Sequence, residues 1–465
     1  MTPPNNLPTR KLGRDGPAVP SIGLGLMSLS AAYGAVGSDE ERFKLLDRAW
    51  EIGCTNWDTS DQYGDSEDLL GKWFKLHPER RADIFLASKF GLKVRRKPND
   101  SGYDIGVDNS PEYARVAIER SLKRLGVDYL DLYYVHRLDS SVPVEKTIEV
   151  LAEFKRDGRI KAIGLSGCTS RSLRRAYKVT PIDAVQMEYS PWVLDIENDV
   201  GTNMLSACQE LGVTVFAYSP LGRGFLTGKY RTTSDFGPGD SRNLLPRFQE
   251  ENMAHNLPLV DRFHAIAGRK GCTPGQVALA WLLAQSENII PIPGTKKISN
   301  LEENVAALNI DLSTAEVREL RDAINACNIV GERGLPGPLL EQKALLKSIT
   351  YVLLSETWLI GSLVDEGAAE QQGTGWPQQC YVGMAPTTGA PVSGGLSQET
   401  EVFSGVLCRS WSVLKAQRPN ANAWVESEAT SGRYGDKPCQ SMRGGVKHVV
   451  SCIEGHDNGS QDGRD

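Results

Sequence analysis

Short, nearly continuous apolar runs alternate along this chain with longer stretches whose apolar positions recur at helical spacing. The short runs predict strands at Ile22–Met27, Asn56–Thr59, Ile84–Lys89, Leu130–His136, Lys161–Ser166, Ala184–Tyr189, Val213–Ser219 and Ile289–Pro293. The amphipathic stretches predict helices at Asp39–Ile52, Ser66–Leu76, Pro111–Leu125, Val144–Asp157, Ser170–Lys178 and Asn203–Leu211. Further helices are expected near Leu259–Gly268, Pro274–Ala284 and Asn300–Ala307, and Ser313 caps a last one running to about Ala326. Pro111 sits in a first turn, and Gly158 and Gly212 close helices, as their backbone preferences favour. Ahead of the first unit, the turn residues from Leu12 to Gly16 and the return over Val19–Ser21 predict a small hairpin.

Strict strand–helix alternation requires parallel pairing through helical crossovers. Eight such units between Thr9 and Arg333 predict an α/β fold, a closed (β/α)8 TIM barrel with an N-terminal β-hairpin, rather than an open doubly wound sheet. No G-x-G-x-x-G follows the first strand, which argues against a Rossmann dinucleotide domain. The barrel domain is assigned to residues 9–333 and an atypical C-terminal extension to 334–465. Leu339–Val364 could form a helix. Beyond it Gly, Ser, Gln and Thr dominate without a sustained period, which predicts a mostly disordered extension. A translated gene-model error and a genuine partner-binding tail are the other readings.

Composition narrows the partners. The net charge is −6, and no basic block offers a surface to nucleic acid or anionic lipid. The apolar run Ser348–Val364 is short and carries Glu356 at its centre, so no membrane span is expected. The nine cysteines lack C-x-x-C pairing, and Cys380, Cys408, Cys439 and Cys452 lack zinc-like spacing, so no metal is expected. With no secretory leader over residues 1–8, the thiols read as reduced and the protein as cytoplasmic. Oligomeric state is not legible.

In a (β/α)8 barrel the C-terminal ends of the strands form the active mouth. Asp58 ends the second strand with Tyr63 in the loop after it, Lys89 ends the third, and His136 ends the fourth. Singly, a strand-end aspartate caps a turn and a lone histidine packs in a core. Together on three successive strand ends they form a candidate proton-donating site. A free tyrosine has a pKa of about 10, and a lysine ammonium beside it favours the phenolate. Asp58 would hold that ammonium in place, and a neutral His136 could orient a substrate oxygen. The set suits protonation of a carbonyl oxygen as charge develops on it. No side chain delivers hydride, so a nicotinamide cofactor is implied.

The segments NWDTSDQYGDSEDLLGKWF, IFLASKFG, LDLYYVHRLD, AIGLSG, AVQMEYSPW, VFAYSPLGRGFLTGKY and IPGTKKISNLEEN, in this order and spacing, resemble the aldo-keto reductases. They are most similar to the branch with fungal and plant pyridoxal-reductase and auxin-induced-type proteins. The resemblance covers about Thr9 to Arg333. It implies an NADP(H)-dependent barrel enzyme with the catalytic tetrad Asp58, Tyr63, Lys89 and His136, in which Tyr63 is the general acid. It implies that Ser166 and Gln186, beside Asp58, hold the nicotinamide carboxamide and that Tyr218 stacks on the ring, with Met27 bordering the cofactor. Ser219, Pro220, Leu221 and Gly222, with Lys229 and Arg242, would run along the pyrophosphate. Gly294, Thr295, Lys296, Asn300, Glu303 and Asn304 would grip the adenosine end, Gly294 by permitting close backbone approach. Lys296 or Lys297 near the next helix would favour NADPH over NADH.

Gly167 departs from the family, where Asn or Glu commonly follows the strand-five serine, and predicts a missing or water-filled contact. Met27, Trp57, Phe90 and Trp192, with His136, are candidates for an apolar substrate cup, or equally for core. The polar loop from Gly91 to Ser110 would form one wall. The expected substrate is a small-molecule aldehyde or ketone: pyridoxal, an aryl aldehyde or a secondary-metabolite carbonyl. The alternative from the same resemblance is an NADP-binding sensor with little turnover.

Overall fold

A computed structural model describes residues 6–96, 103–237 and 239–333. The extension expected over 334–465, including its Leu339–Val364 helix, lies outside the described residues. The chain opens with β1 (Thr9–Lys11) paired antiparallel to β2 (Ala18–Pro20), the expected hairpin. The barrel strands are β3 (Leu24–Gly25), β4 (Asn56–Asp58) and β5 (Phe85–Phe90). After the short strands β6 (Leu92–Arg96) and β7 (Tyr103–Val107) come β8 (Leu130–Val135), β9 (Ile160–Ser166), β10 (Ala184–Glu188), β11 (Thr214–Tyr218) and β12 (Ile289–Pro291). Eight of them form one sheet in the order β12-β11-β10-β9-β8-β5-β4-β3, every neighbouring pair parallel.

The last seam closes through the backbone. Gly23 N donates to Pro291 O at 2.9 Å, Gly25 N donates to Pro293 O at 3.1 Å, and Gly25 pairs in parallel with Gly294. This seam has no room for side chains. A Cβ on Gly25 would stand 2.8 Å from Ile292 O, and one on Gly294 would stand 2.8 Å from Gly25 O. The close approach expected at Gly294 is therefore between two strands of the protein.

Two apolar layers follow from the period-2 alternation of the strands. Inward residues, among them Phe85, Ala87, Leu132, Tyr134, Phe216 and Ile290, fill the barrel, and Leu12 and Val19 of the hairpin plug its bottom. Arg10 pins that plug by donating to the carbonyls of Leu283 and Ser286, each at 2.7 Å, at the end of the helix Pro274–Leu283. Outward residues pack under the helices: Trp57 meets Trp73 of Ser66–Leu76, ring centroids 4.9 Å apart.

Three expectations are corrected. The first barrel strand ends at Gly25, and Met27 instead opens a one-turn helix, Met27–Ser30. The helix expected from Leu259 runs over Glu250–Lys270 with Pro258 inside it. Its buried residues Met253, Asn256, Leu259, Val260 and Phe263 keep helical spacing across the proline, which costs the helix one hydrogen bond without ending it. The wall from Gly91 to Ser110 contains an antiparallel hairpin, β6 with β7, rather than irregular loop.

Candidate active site

Asp58 and Lys89 stand on neighbouring strands, β4 and β5, and both point into the mouth. Lys89 Nζ meets Asp58 Oδ1 at 2.5 Å, donates to Thr59 O at 2.7 Å and reaches the Tyr63 hydroxyl at 3.3 Å. Gln186 on β10 donates its Nε2 to the other carboxylate oxygen of Asp58 at 2.7 Å. His136 follows β8. Its amide donates to Phe90 O at 2.7 Å, and its ring meets the Tyr63 ring edge-on at 5.7 Å. The four residues expected at three strand ends thus form one contiguous group, and all but Tyr63 are almost wholly buried.

Burial dominates the electrostatics. It disfavours the Lys89 charge, but Asp58 and Tyr63 outweigh it and raise the ammonium further. Burial pushes the Asp58 carboxyl up, against the pull of Lys89 and Gln186. It also raises the Tyr63 phenol, with Lys89 pulling the other way and Asp58 adding to the rise. The expected lowering of Tyr63 by Lys89 is therefore present but overridden, because a desolvated phenolate costs more than the neighbouring ammonium returns. His136 is held well below the ordinary imidazole range by burial and by the charges of Arg137 and Lys89. At neutral pH the mouth holds a protonated phenol, a charged lysine and a neutral imidazole.

Ser166 and Gln186, the expected carboxamide partners, are register neighbours on β9 and β10. Arg137 carries no signal of its own in the sequence, although it follows His136 directly. Its Nη1 donates to Ser166 Oγ at 3.0 Å and to His136 O at 2.7 Å, and its guanidinium lies 6.0 Å from the Tyr218 ring. It also explains Gly167. That residue has φ +59°, and a Cβ there would lie 2.9 Å from Arg137 Nη1. The contact expected to be missing or water-filled is occupied by the guanidinium.

The turn after β11 carries left-handed backbone at Ser219 (φ 50°), Gly222 (φ 56°), Arg223 (φ 56°) and Gly224 (φ 94°). Such turns bring backbone N–H groups to one side and suit an anion such as a pyrophosphate. Lys229 Nζ lies 3.3 Å from both Asn300 Oδ1 and Glu303 Oε2, so these three expected residues share one place. Glu303 is held by Thr273 at 2.8 Å, and Asn304 is buried. Thr295 Oγ1 accepts from Lys297 N at 3.0 Å. Lys296 Nζ donates to the carbonyls of Tyr33 and Ala35 across the mouth. Arg242 is buried, paired with Asp240 at 2.6 Å, boxed by Tyr230 and Phe236, and bonded to Arg223 O at 2.9 Å. It braces the left-handed turn. The donors of this region fit an extended dinucleotide from Ser166 to Asn304.

The expected substrate cup is largely corrected. Trp57 and Phe90 have no exposed surface and face the helices, because each is adjacent on its strand to an inward residue, Asp58 and Lys89. Phe90 stacks on Tyr133 at 5.3 Å, and Trp192 lies flat on Phe225 at 4.3 Å. Met27 remains half-buried. Among the described residues, no group of three or more His, Cys, Asp or Glu is placed to hold a metal, and no helix is long and apolar enough to cross a membrane.

The model described as Aldo/keto reductase family matches residues 21–325. The chain is 47% identical over 335 residues to "Aldo-keto reductase yakc [NADP(+)]" of Schizosaccharomyces pombe, covering 71% of this chain and 96% of that protein. It is 47% identical over 332 residues to "Aldo-keto reductase str7" of Strobilurus tenacellus, covering 70% and 95%. Among solved structures, the thermostable aldo-keto reductase Tm1743 in complex with the inhibitor epalrestat aligns with TM-score 0.54 and 32% identity, covering 68% of this chain and all of that one.

Proposed function

The chain belongs to the aldo/keto reductase family, and from that premise we propose that it is an NADPH-dependent reductase of aldehydes or ketones with Tyr63 as proton donor. The observation that carries this reading is the continuous contact from Asp58 through Lys89 to Tyr63, with neutral His136 beside the phenol. When bound, NADPH supplies the hydride that no side chain can. Ser166, Gln186 and Tyr218 would hold its nicotinamide end, the turn from Ser219 its pyrophosphate, and the segment from Gly294 to Asn304 its adenosine end.

The residues of the chain do the rest. His136 orients the carbonyl oxygen by a hydrogen bond. Tyr63 gives that oxygen a proton as negative charge builds on it, and Lys89 stabilises the phenolate left behind. Burial of the phenol keeps the proton in place until that moment, so the desolvation that raises Tyr63 serves the acid role. Asp58 keeps Lys89 charged and aimed. NADPH is favoured over NADH by the lysines at 296 and 297 and by the NADP(+) in the name of the S. pombe relative. A cytoplasmic location belongs to the same reading.

The test is NADPH oxidation against a panel of aromatic aldehydes including pyridoxal, with Tyr63→Phe as control. We expect turnover by the native chain, and a loss of about 10²–10⁴-fold in kcat for Tyr63→Phe with NADPH affinity unchanged. Tight NADPH binding without turnover on any carbonyl would instead favour an NADP-binding sensor.

A further inference from the structure

We propose that Ser60 is a positioning residue that selects the tautomer of His136, donating its hydroxyl proton to Nδ1 so that Nε2 carries the ring's N–H toward the substrate oxygen. This deepens the carbonyl-reductase reading and rests on it. A neutral imidazole has one N–H, and which nitrogen carries it is decided by the partner of the other. Ser60 Oγ lies 3.1 Å from His136 Nδ1, and both residues are buried.

The hydroxyl's choices are few. Ser60 Oγ accepts the backbone N–H of Gln62 at 3.2 Å. It has one proton to give, and two acceptors are in reach: His136 Nδ1 at 3.1 Å and Asp61 Oδ1 at 3.4 Å. The second distance is beyond the usual O–H···O range, and the Asp61 carboxylate is already met by Arg120 at 2.8 Å through Oδ2. Nδ1 is therefore the better acceptor. In the opposite arrangement Nδ1–H would donate to Ser60 and Nε2 would present a lone pair, which repels a carbonyl oxygen instead of binding it.

The main chain of His136 is fixed by its own bonds, the amide to Phe90 O and the carbonyl from Arg137. Ser60 is the group that meets the ring nitrogen itself. It sits on the loop that delivers Tyr63, so one loop sets both the proton donor and the polarity of the ring beside it.

The tautomer can be read directly. The full chain, labelled with ¹⁵N-histidine and saturated with NADP⁺, is examined by long-range ¹H–¹⁵N correlation near neutral pH, with His136→Gln identifying the signal. The expected spectrum is the Nε2–H form in the native chain and a shift toward Nδ1–H in Ser60→Ala. In Ser60→Ala, kcat should fall about tenfold with KM little changed, while NADPH fluorescence titration reports an intact barrel. A native His136 protonated on Nδ1 overturns the proposal, as does a Ser60→Ala spectrum identical to the native one. The spectrum needs no turnover. A chain that reduces no carbonyl therefore defeats the functional reading, while the tautomer is still decided by the native spectrum.

Discussion

Asp61 shows how far a residue's chemistry depends on neighbours distant in sequence. It is a loop aspartate between Ser60 and Gln62, yet burial pushes its carboxyl up to about 7, with the Glu67 charge adding and Arg120 opposing. Tyr133, Glu67 and Arg124 face the same cluster. A carboxyl raised in the folded state contributes stability that is fully present below its unfolded pKa of about 4 and lost as pH rises through about 7. Asp61→Asn removes that titration. The melting temperature of the variant minus that of the native chain should therefore rise between pH 5 and pH 8, and a constant difference by thermal unfolding would sink the assignment. At this scale the tetrad was legible because acid, phenol, lysine and histidine are chemically distinctive at strand ends. Ser60 and Arg137 were not, because serine and arginine are ordinary surface residues until a fold aims them at His136 and Ser166.

Elements carry a second kind of information, in what their geometry forbids. Gly164 on β9 faces Tyr134 of β8 inside the barrel, and a Cβ there would stand 2.3 Å from the Tyr134 ring. The strand has traded a side chain for a tyrosine on its neighbour. Gly164→Ala should destabilise the chain by about 1–3 kcal/mol through overpacking, read as a lower urea midpoint. An unchanged midpoint would mean that Tyr134 moves aside freely. The same alternation that sends Asp58 and Lys89 inward sends Trp57 and Phe90 outward, so these two belong to the core by a rule already readable in the strand period. The β6–β7 pair had a signal of its own: Leu92 and Val94, and Tyr103, Ile105 and Val107, alternate with polar residues, but over runs so short and in a segment from Gly91 to Ser110 so polar as a whole that it reads as loop.

For the whole molecule, the barrel's end matters as much as its seam. Asn256 exchanges two hydrogen bonds of 3.0 Å with Val330, and Arg247 bonds the carbonyls of Gly331 and Glu332 through its side chain and backbone. Arg333 then lies 3.5 Å from Glu188 and 3.3 Å from Asp195. The last described residues are thus tied to the barrel by its own groups. A chain ending at Arg333 should match the full chain in melting temperature and in NADPH affinity by fluorescence titration, and a large loss in either would assign residues 334–465 a structural or binding role. The sequence by itself determined the number and order of the strand–helix units, and with them the parallel barrel and the mouth at which Asp58, Tyr63, Lys89 and His136 meet. It could do so because apolar period and residue type are local properties. Only the tertiary structure decided which groups touch: Arg137 in the space of Gly167, Arg242 buried in an aromatic box, Ser60 on the ring of His136, and Tyr63 raised rather than lowered. Those outcomes depend on distance and desolvation, which arise only when separate strands are brought together and water is excluded between them.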